Sequence, residues 1–165
     1  MHIALNLPFN ETQALEIIDS LFEEVSVITI KFDITGSFLS EISKRHCKVN
    51  VFGKWYNSPL VEQIKEIIKK QDADKVLNLC IEYDGQEEIL DACRLIARQV
   101  KAGKIDPDTI EKQDIKSNLY TSEIPPPDII IQSNGAPFLL WDSEYSRIRY
   151  TDNLKRKHIL KLIKS

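Results

Sequence analysis

Strand-like and helix-like segments alternate along most of the chain, and this alternation limits the possible folds more than any other feature of the sequence. Residues 25–32 alternate in polarity and are rich in β-branched side chains, as expected of a strand. Residues 128–131 are almost wholly apolar, as expected of a buried parallel strand. Five strands are predicted in all, over residues 2–7, 25–32, 47–52, 75–81 and 128–131.

Helices are predicted between these strands from capping residues and from apolar residues at helical spacing. Asn10 is a suitable N-cap, Ser58 followed by Pro59 is a typical helix start, and Gly103 is suited to close a helix. The predicted helices cover residues 11–25, 38–45, 59–70 and 87–102, with a further short helix after Asp106-Pro107.

This order of elements predicts the fold class. A strand–helix–strand order places neighbouring strands parallel to one another, with helices covering the sheet. The chain has 165 residues, which is the length of one domain. We therefore expect a single α/β domain with a mostly parallel central sheet and helices on both faces.

The formal charge of the chain, −3 at pH 7, is unevenly distributed. Residues 147–165 carry seven basic side chains and one acidic one, so this end is +6 and the remaining 146 residues are −9. A basic end on an acidic body argues against a nucleic-acid-binding protein, and it permits contact with an anionic membrane or an acidic partner. We divide the chain into a domain over residues 1–152 and a basic C-terminal helix or tail over residues 153–165.

The sequence also predicts a compartment. Three cysteines without a Cys-x-x-Cys pair favour a reducing environment over a disulfide framework. No apolar run reaches the roughly 20 residues of a membrane span. The N-terminal residues show no signal-peptide pattern. We expect a cytoplasmic protein whose basic tail permits peripheral contact with a membrane.

The turn after the first strand is where an α/β fold often binds phosphate, and here that turn is unsuited to it. Residues 7–11 contain no glycine for close backbone approach, and they include Pro8 and the bulky Phe9. No Walker, HExxH or GxSxG pattern occurs. The three histidines lack metal-ligand spacing and are interpreted as solvated or strand-end residues. The residues alone predict no cofactor.

An acidic cluster near the fourth strand has two interpretations. Glu87 and Glu88 lie in the first turn of a predicted helix, where the helix dipole favours a negative charge by about 0.3–1 kcal/mol. The alternative is a metal site made of carboxylate oxygens. We favour the structural interpretation. The members of the cluster are Glu82, Asp84, Glu87, Glu88 and Asp91.

Two segments resemble signature motifs of the cis-prenyltransferases, the undecaprenyl and dehydrodolichyl diphosphate synthases. Residues 77–89, LNLCIEYDGQEEI, resemble the L-N-x-x-x-x-Y-G-G-R-x-E/D-I stretch of that family. Residues 127–135, PDIIIQSNG, resemble its P-D-L-x-I-R-T-[SG]-G-E motif, and residues 138–141 match its F-L-L-W motif. The resemblance extends over about residues 47–152 and implies an undecaprenyl diphosphate synthase-like fold.

The sequence departs from the family at positions that the resemblance implies are catalytic or phosphate-binding. Pro8 stands where the family has the Asp that assists departure of the diphosphate, and Thr12 stands where it has an Arg. Gln86 and Gln132 replace two further arginines. Arg147 falls where the family has a metal-binding Glu.

What remains resembles a vestigial diphosphate pocket without cations. A charge-assisted phosphate contact contributes about 1.5–3 kcal/mol. The lost groups together would remove on the order of 6–12 kcal/mol, which is roughly four to eight orders of magnitude in rate. The resemblance therefore predicts no prenyltransferase activity for the chain alone, and Mg²⁺ only if the chain is active. The predicted pocket residues are Asn10, Gln86, Gln132, Ser133, Asn134 and Gly135.

Similar departures occur in non-catalytic subunits of heteromeric cis-prenyltransferases, such as the Nogo-B receptor type subunit, and the chain resembles this class. The resemblance implies a homodimer, or a heterodimer with a catalytic chain. Two alternatives stay open: a divergent enzyme that condenses isopentenyl diphosphate with an allylic diphosphate, and a binding protein for an isoprenoid or another small ligand. The predicted partner interface comprises Phe138, Leu139, Leu140, Trp141, Tyr145 and Arg147.

Overall fold

The computed structural model describes residues 1–69, 73–133 and 138–164, and a parallel sheet lies at its centre. Within these ranges the strands are β1 (His2–Asn6), β2 (Val27–Lys31), β3 (Lys48–Phe52), β4 (Val76–Cys80), β5 (Ile129–Gln132) and β6 (Arg147–Tyr150). They lie in the order β3-β4-β2-β1-β5-β6, and every pairing is parallel. The predicted α/β class is confirmed.

Helices connect the strands and cover the sheet. The α-helices of the described ranges are α1 (Glu11–Phe22), α2 (Gly36–Ser43), α3 (Val61–Ile68), α4 (Gly85–Lys101), α5 (Lys112–Ser117) and α6 (Arg156–Lys164). The larger core lies on the face that receives Ile3 and Leu5 of β1, and side chains of α1, α2, α3 and α6 pack there. Ala4 points to the other face, where a smaller core includes Tyr83 and Phe138.

The capping residues explain where two helices begin. Asn10 accepts a hydrogen bond from the Gln13 amide at 2.9 Å, and the Gln13 side chain accepts one from the Asn10 amide at 3.1 Å. This reciprocal pair confirms the predicted cap of α1. Asp84 accepts hydrogen bonds from the amides of Gln86 and Glu87, so α4 starts at Gly85, two residues before the predicted position.

Other predicted boundaries shift. The helix predicted from Pro59 begins at Val61, because residues 55–57 form a 3-10 turn and Ser58 accepts a hydrogen bond from the Leu60 amide. The helix predicted after Asp106 is a 3-10 turn over Pro107–Thr109, and α5 follows it. The predicted helix end near residue 70 lies outside the described residues.

Strand β6 was not predicted from the sequence. Its four residues are mostly exposed, so they lack the apolar face that marks a strand in a sequence. Main-chain pairing with β5 places it at the edge of the sheet.

The basic C-terminal segment packs on the domain through α6. Ile159 and Ile163 are buried in the larger core, and the Lys164 ammonium pairs with Glu24 at 2.7 Å. The buried side of this segment is therefore a packing face.

Candidate functional site

A cavity of about 670 Å³ opens at the carboxyl end of the sheet. Its wall includes the last residues of β1, β2 and β4 and the residues that follow them. These strands are neighbours and run parallel, so their carboxyl ends meet at one edge of the sheet. Open parallel sheets bind ligands in a crevice at this edge.

Polar side chains of three neighbouring strand ends reach this cavity. Lys31 ends β2 and is paired in register with Asn6, which ends β1. The Lys31 Nζ atom lies 5.8 Å from the centroid of the Tyr83 ring, within the range of a cation–π contact. Ser133 follows β5 and donates its amide to the Asn6 carbonyl at 3.2 Å. The cavity therefore presents one cation beside two neutral polar side chains.

Carboxylates line another part of the cavity. Asp33 and Glu82 are exposed, and Asp84 caps α4. Glu82 has a φ of 47°, a left-handed conformation that a side chain of this size rarely adopts. Among the described lining residues the formal count is one positive charge and three negative charges.

The turn after β3 fixes the conformation of the cavity wall at Glu82. Gly53 has a φ of 99°, and a Cβ atom at this position would lie 2.3 Å from the Ile81 carbonyl oxygen. The amide of the next residue, Lys54, donates to the Glu82 carbonyl at 3.1 Å. Only glycine permits this close approach, and the approach ties the end of β3 to the segment that lines the cavity.

A buried polar network lies behind the cavity, on the α4 side of the sheet. The Tyr83 hydroxyl is 2.5 Å from Oε2 of Glu88, whose Oε1 accepts the Thr121 amide at 3.1 Å. The Thr121 hydroxyl lies 3.1 Å from the same Oε1 and 2.7 Å from Oδ2 of Asp142. Lys116 pairs with Asp142 at 2.7 Å. Glu88 is 1% exposed, and Asp142 is 5% exposed.

Counting protons assigns a protonation state to this network. Three oxygen–oxygen contacts join Tyr83, Glu88, Thr121 and Asp142, whereas the two hydroxyls supply only two protons. Asp142 has the Lys116 ammonium as a counter-ion, so the third proton belongs on Glu88. Burial raises the pKa of Glu88, against the opposing effect of its hydrogen bonds from Tyr83 and Thr121. The count of protons and the raised pKa both favour the neutral form of Glu88.

A second network of hydrogen-bonded polar side chains crosses four strands on the α4 side of the sheet. The His2 Nδ1 donates to the Pro125 carbonyl at 2.9 Å, so the neutral ring accepts at Nε2 from the Thr29 hydroxyl at 2.8 Å. Asn78 donates to the Thr29 oxygen at 2.9 Å, and Asn50 donates to Asn78 at 2.8 Å. Burial lowers the pKa of His2. These hydrogen bonds give Asn78, in the LNLCIEY segment, a structural role.

The structure separates the residues of the predicted diphosphate pocket. Ser133 lines the cavity, whereas Asn10 is occupied as the cap of α1. Gln86 is exposed in the first turn of α4. Gln132 is buried, and its Oε1 has no hydrogen-bond partner in the part of the chain that the structure describes. Asn134 and Gly135 lie outside the described residues. Sequence reasoning missed Lys31, whose only signal was its position at the end of a strand.

The predicted partner interface divides into buried and exposed residues. Phe138 and Leu139 are 3% and 1% exposed and belong to the smaller core of the chain itself. Leu140 and Trp141 are half-buried. Tyr145 is 84% exposed, and Arg147 is exposed at the start of β6. The side chains available to a partner are therefore concentrated toward β6.

The acidic cluster is mainly structural. Asp84 caps α4, Glu88 is in the buried network, and Glu87 pairs with Lys54 at 2.7 Å. Asp91 accepts from Tyr120 and Arg94. Across residues 1–69, 73–133 and 138–164, no group of three His, Cys, Asp or Glu residues is arranged to hold a metal ion.

Comparison with known proteins relates the chain to one family. A family model described as "Putative undecaprenyl diphosphate synthase" matches residues 15–164. A tritrans,polycis-undecaprenyl-diphosphate synthase (geranylgeranyl-diphosphate specific) of Thermoplasma volcanium is 37% identical over 134 residues, which are 72% of this chain and 51% of that protein. An isoprenyl transferase of Prochlorococcus marinus is 34% identical over 157 residues, which are 89% of this chain and 53% of that protein. The chain thus spans about half the length of the curated relatives it matches.

Solved structures share the fold at lower sequence identity. Lavandulyl diphosphate synthase from Lavandula x intermedia, in complex with dimethylallyl diphosphate, superposes with a TM-score of 0.75 at 17% identity, covering 93% of this chain and 87% of the other. A "probable undecaprenyl diphosphate synthase" from Campylobacter jejuni gives 0.70 at 19% identity, covering 99% and 92%. None of the described helices has the length and apolarity needed to cross a membrane.

Proposed function

The chain belongs to the undecaprenyl diphosphate synthase family of prenyltransferases, and from this premise we propose that it is a non-catalytic subunit of a heteromeric cis-prenyltransferase. In this role the chain binds and stabilises a catalytic family member in polyprenyl diphosphate synthesis. It does not condense isopentenyl diphosphate with an allylic diphosphate by itself.

The composition of the cavity is the observation that supports this proposal most directly. Pro8 lines the cavity at the position where the resemblance implies the catalytic Asp. Lys31 is the cation among the described lining residues, and Asp33, Glu82 and Asp84 lie in the same wall. A diphosphate carries at least two negative charges and needs several cationic or metal contacts, which this wall does not supply.

The exposed side of β6 supports a partner-binding role. Tyr145, Ile148 and Tyr150 are 84%, 38% and 61% exposed, and Arg147 lies among them. Aromatic residues and arginine are enriched at protein interfaces. Family members are commonly dimeric, and a dimer is consistent with this surface. We propose that it pairs with a catalytic chain in the cell and with a second copy when the protein is isolated.

The outer face of α6 supports a peripheral contact with an anionic membrane. Lys157 and Lys161 are exposed, whereas Ile159 and Ile163 pack inward. Binding of the protein to phosphatidylserine vesicles should fall in the double variant Lys157→Glu with Lys161→Glu. Vesicle binding that is unchanged by this double substitution would argue against membrane contact through α6.

The decisive experiment compares the chain alone with the chain bound to a complete family member. Purified protein, Mg²⁺, radiolabelled isopentenyl diphosphate and farnesyl or geranylgeranyl diphosphate should give no product. Co-expression with a family member that has an intact Met-Asp-Gly-Asn-Gly-Arg motif should give a stable complex with increased activity. Turnover by the chain alone at 1 s⁻¹ or more, about the lower end for typical enzymes, would instead support a divergent active enzyme.

Two double variants, one in the exposed surface around β6 and a matched control elsewhere, test whether that surface binds a partner. Tyr145→Ala with Arg147→Glu should weaken association by at least about 2 kcal/mol, since a few buried anchors dominate such interfaces. Tyr56→Ala with Arg98→Glu changes the same residue types at exposed positions away from β6 and should leave association unchanged. Sedimentation at micromolar concentration measures both. Equal effects of the two pairs would argue against this interface.

A further inference from the structure

We propose that the cavity at the carboxyl end of the sheet is a binding site for a singly charged anionic amphiphile, with Lys31 as the anchor for its carboxylate head. This site is independent of the partner-binding role, since it uses the cavity and not the surface around β6.

Lys31 is available to a ligand. It is half-buried at the end of β2, and no carboxylate of the described residues lies within ion-pair distance of it. Its ammonium lies over the Tyr83 ring, which orients the group without neutralising it. A partly desolvated cation without a counter-ion favours a ligand that brings one.

The groups beside Lys31 are suited to a small head group. Asn6 is its neighbour across β1 and β2, and Ser133 is joined to Asn6 by a main-chain hydrogen bond. The side chains of both residues line the cavity and make no hydrogen bond within the described part of the chain. One ammonium with an amide and a hydroxyl can satisfy the two oxygens of a carboxylate.

The negative charge of the surrounding wall disfavours ligands whose head group carries more than one negative charge. Asp33, Glu82 and Asp84 line the same cavity, so the described lining carries more negative than positive charge. Like charges across a partly desolvated site repel one another. One negative charge is matched by Lys31, whereas the further charges of a diphosphate find no second cation among the described lining residues.

The remaining wall provides room for an apolar chain. The volume of about 670 Å³ lies within the range of about 300–1,000 Å³ that is typical of small-molecule sites. An apolar chain on the ligand would remove from water the exposed parts of this wall, which belong to Pro8, Phe32, Ile34, Pro59 and Leu60, since Leu7 and Ile81 are already buried. The apolar members of this wall include Leu7, Pro8, Phe32, Ile34, Pro59, Leu60 and Ile81.

Three probes with one tail and different heads test the selection by charge. Farnesoic acid, farnesol and farnesyl diphosphate carry the same apolar chain with one, none and several negative charges. Calorimetry on the wild-type protein should give at least about tenfold tighter binding for farnesoate than for either of the others, the effect of about 1.4 kcal/mol. Absence of farnesoate binding, or tighter binding of the diphosphate, would overturn the proposal.

Substitution of the anchor tests its assignment. Lys31→Met should weaken farnesoate binding by about 10- to 100-fold, the value of one charge-assisted contact, and leave farnesol binding unchanged. Lys31→Arg should retain the preference for farnesoate. Lys101→Met removes an exposed lysine at the end of α4 and serves as the matched control.

Circular dichroism and thermal melting establish that the variants fold. If Lys31→Met is folded and binds farnesoate as tightly as wild type, or if Lys31→Arg loses the preference, Lys31 is not the anchor. These outcomes are distinct from failure of the subunit role, which is measured by association with a catalytic chain.

Discussion

The neutral state of Glu88 can be tested through the pH dependence of stability. Its carboxyl accepts from the Tyr83 hydroxyl and the Thr121 amide inside the protein. Glu88→Ala leaves both donors buried without an acceptor, at about 1–3 kcal/mol each, so the free energy of unfolding should fall by about 2–6 kcal/mol. Glu88→Gln places a neutral amide of the same shape there, and its single carbonyl oxygen can accept from only one of the two donors, so it should cost about 1–3 kcal/mol at pH 5, less than Glu88→Ala.

The sign of the pH effect follows from the raised pKa. The folded protein holds this proton more tightly than the unfolded chain, in which the carboxyl titrates near its ordinary value of 4.5. The stabilisation is therefore complete below pH 4.5 and is lost as the pH rises through the folded-state pKa. Each pH unit by which folding raises the pKa of Glu88 corresponds to about 1.4 kcal/mol of this pH-dependent stability.

Urea denaturation of wild type and the two variants at intervals between pH 4.5 and 8 measures this dependence. The difference in unfolding free energy between wild type and Glu88→Gln should shift in favour of the Gln variant as the pH rises. A difference that stays constant over this range would show that Glu88 is ionised in the folded protein. Equal destabilisation by Gln and Ala would refute the assignment of the proton.

Three further substitutions test local features of the fold. Gly53 and Gly103 both have positive φ, but of the two only Gly53 lacks room for a Cβ atom. Gly53→Ala should therefore lower the free energy of unfolding by about 1–3 kcal/mol or more. Gly103→Ala should lower it by only about 1–2 kcal/mol. Burial lowers the pKa of His2, so the contribution of His2 to stability should decline as pH falls below 6.5, and the difference in unfolding free energy between wild type and His2→Gln, measured by urea denaturation, should shrink over the same range. Asn10→Ala should cost about 1 kcal/mol, whereas Asn10→Asp should melt close to wild type because it keeps the cap.

The sequence pattern identified the sheet because its strands are buried on both faces or strongly alternating. Segments such as Ile129–Gln132 contain the apolar runs that only a covered parallel strand requires. Strand β6 lacks this signal, since a mostly exposed edge strand is held by its main chain. Asn10 was predicted correctly because a helix cap depends on local sequence.

The site could be predicted only in part, because it depends on register between distant strands. Lys31 and Asn6 become neighbours through the pairing of β1 and β2, which no local pattern specifies. The contact between His2 and Thr29 also depends on that pairing, so the buried histidine could not be distinguished from a solvated one. The resemblance directed attention to Gln132, whereas the cavity is lined by Ser133 beside it.

The order of strands in the sheet also has a consequence for the chain while it is being made. Strand β1 lies between β2 and β5, and β5 begins more than 120 residues after β1 ends. At about 5–20 residues per second, synthesis leaves the second edge of β1 without its partner for roughly 6–25 s. During that interval the apolar residues Ile3 and Leu5 flank unpaired main-chain groups, which is the condition for strand addition from another nascent chain. The emergence of β5 ends this exposure, and the amide of Asp128 then binds the His2 carbonyl at 2.9 Å.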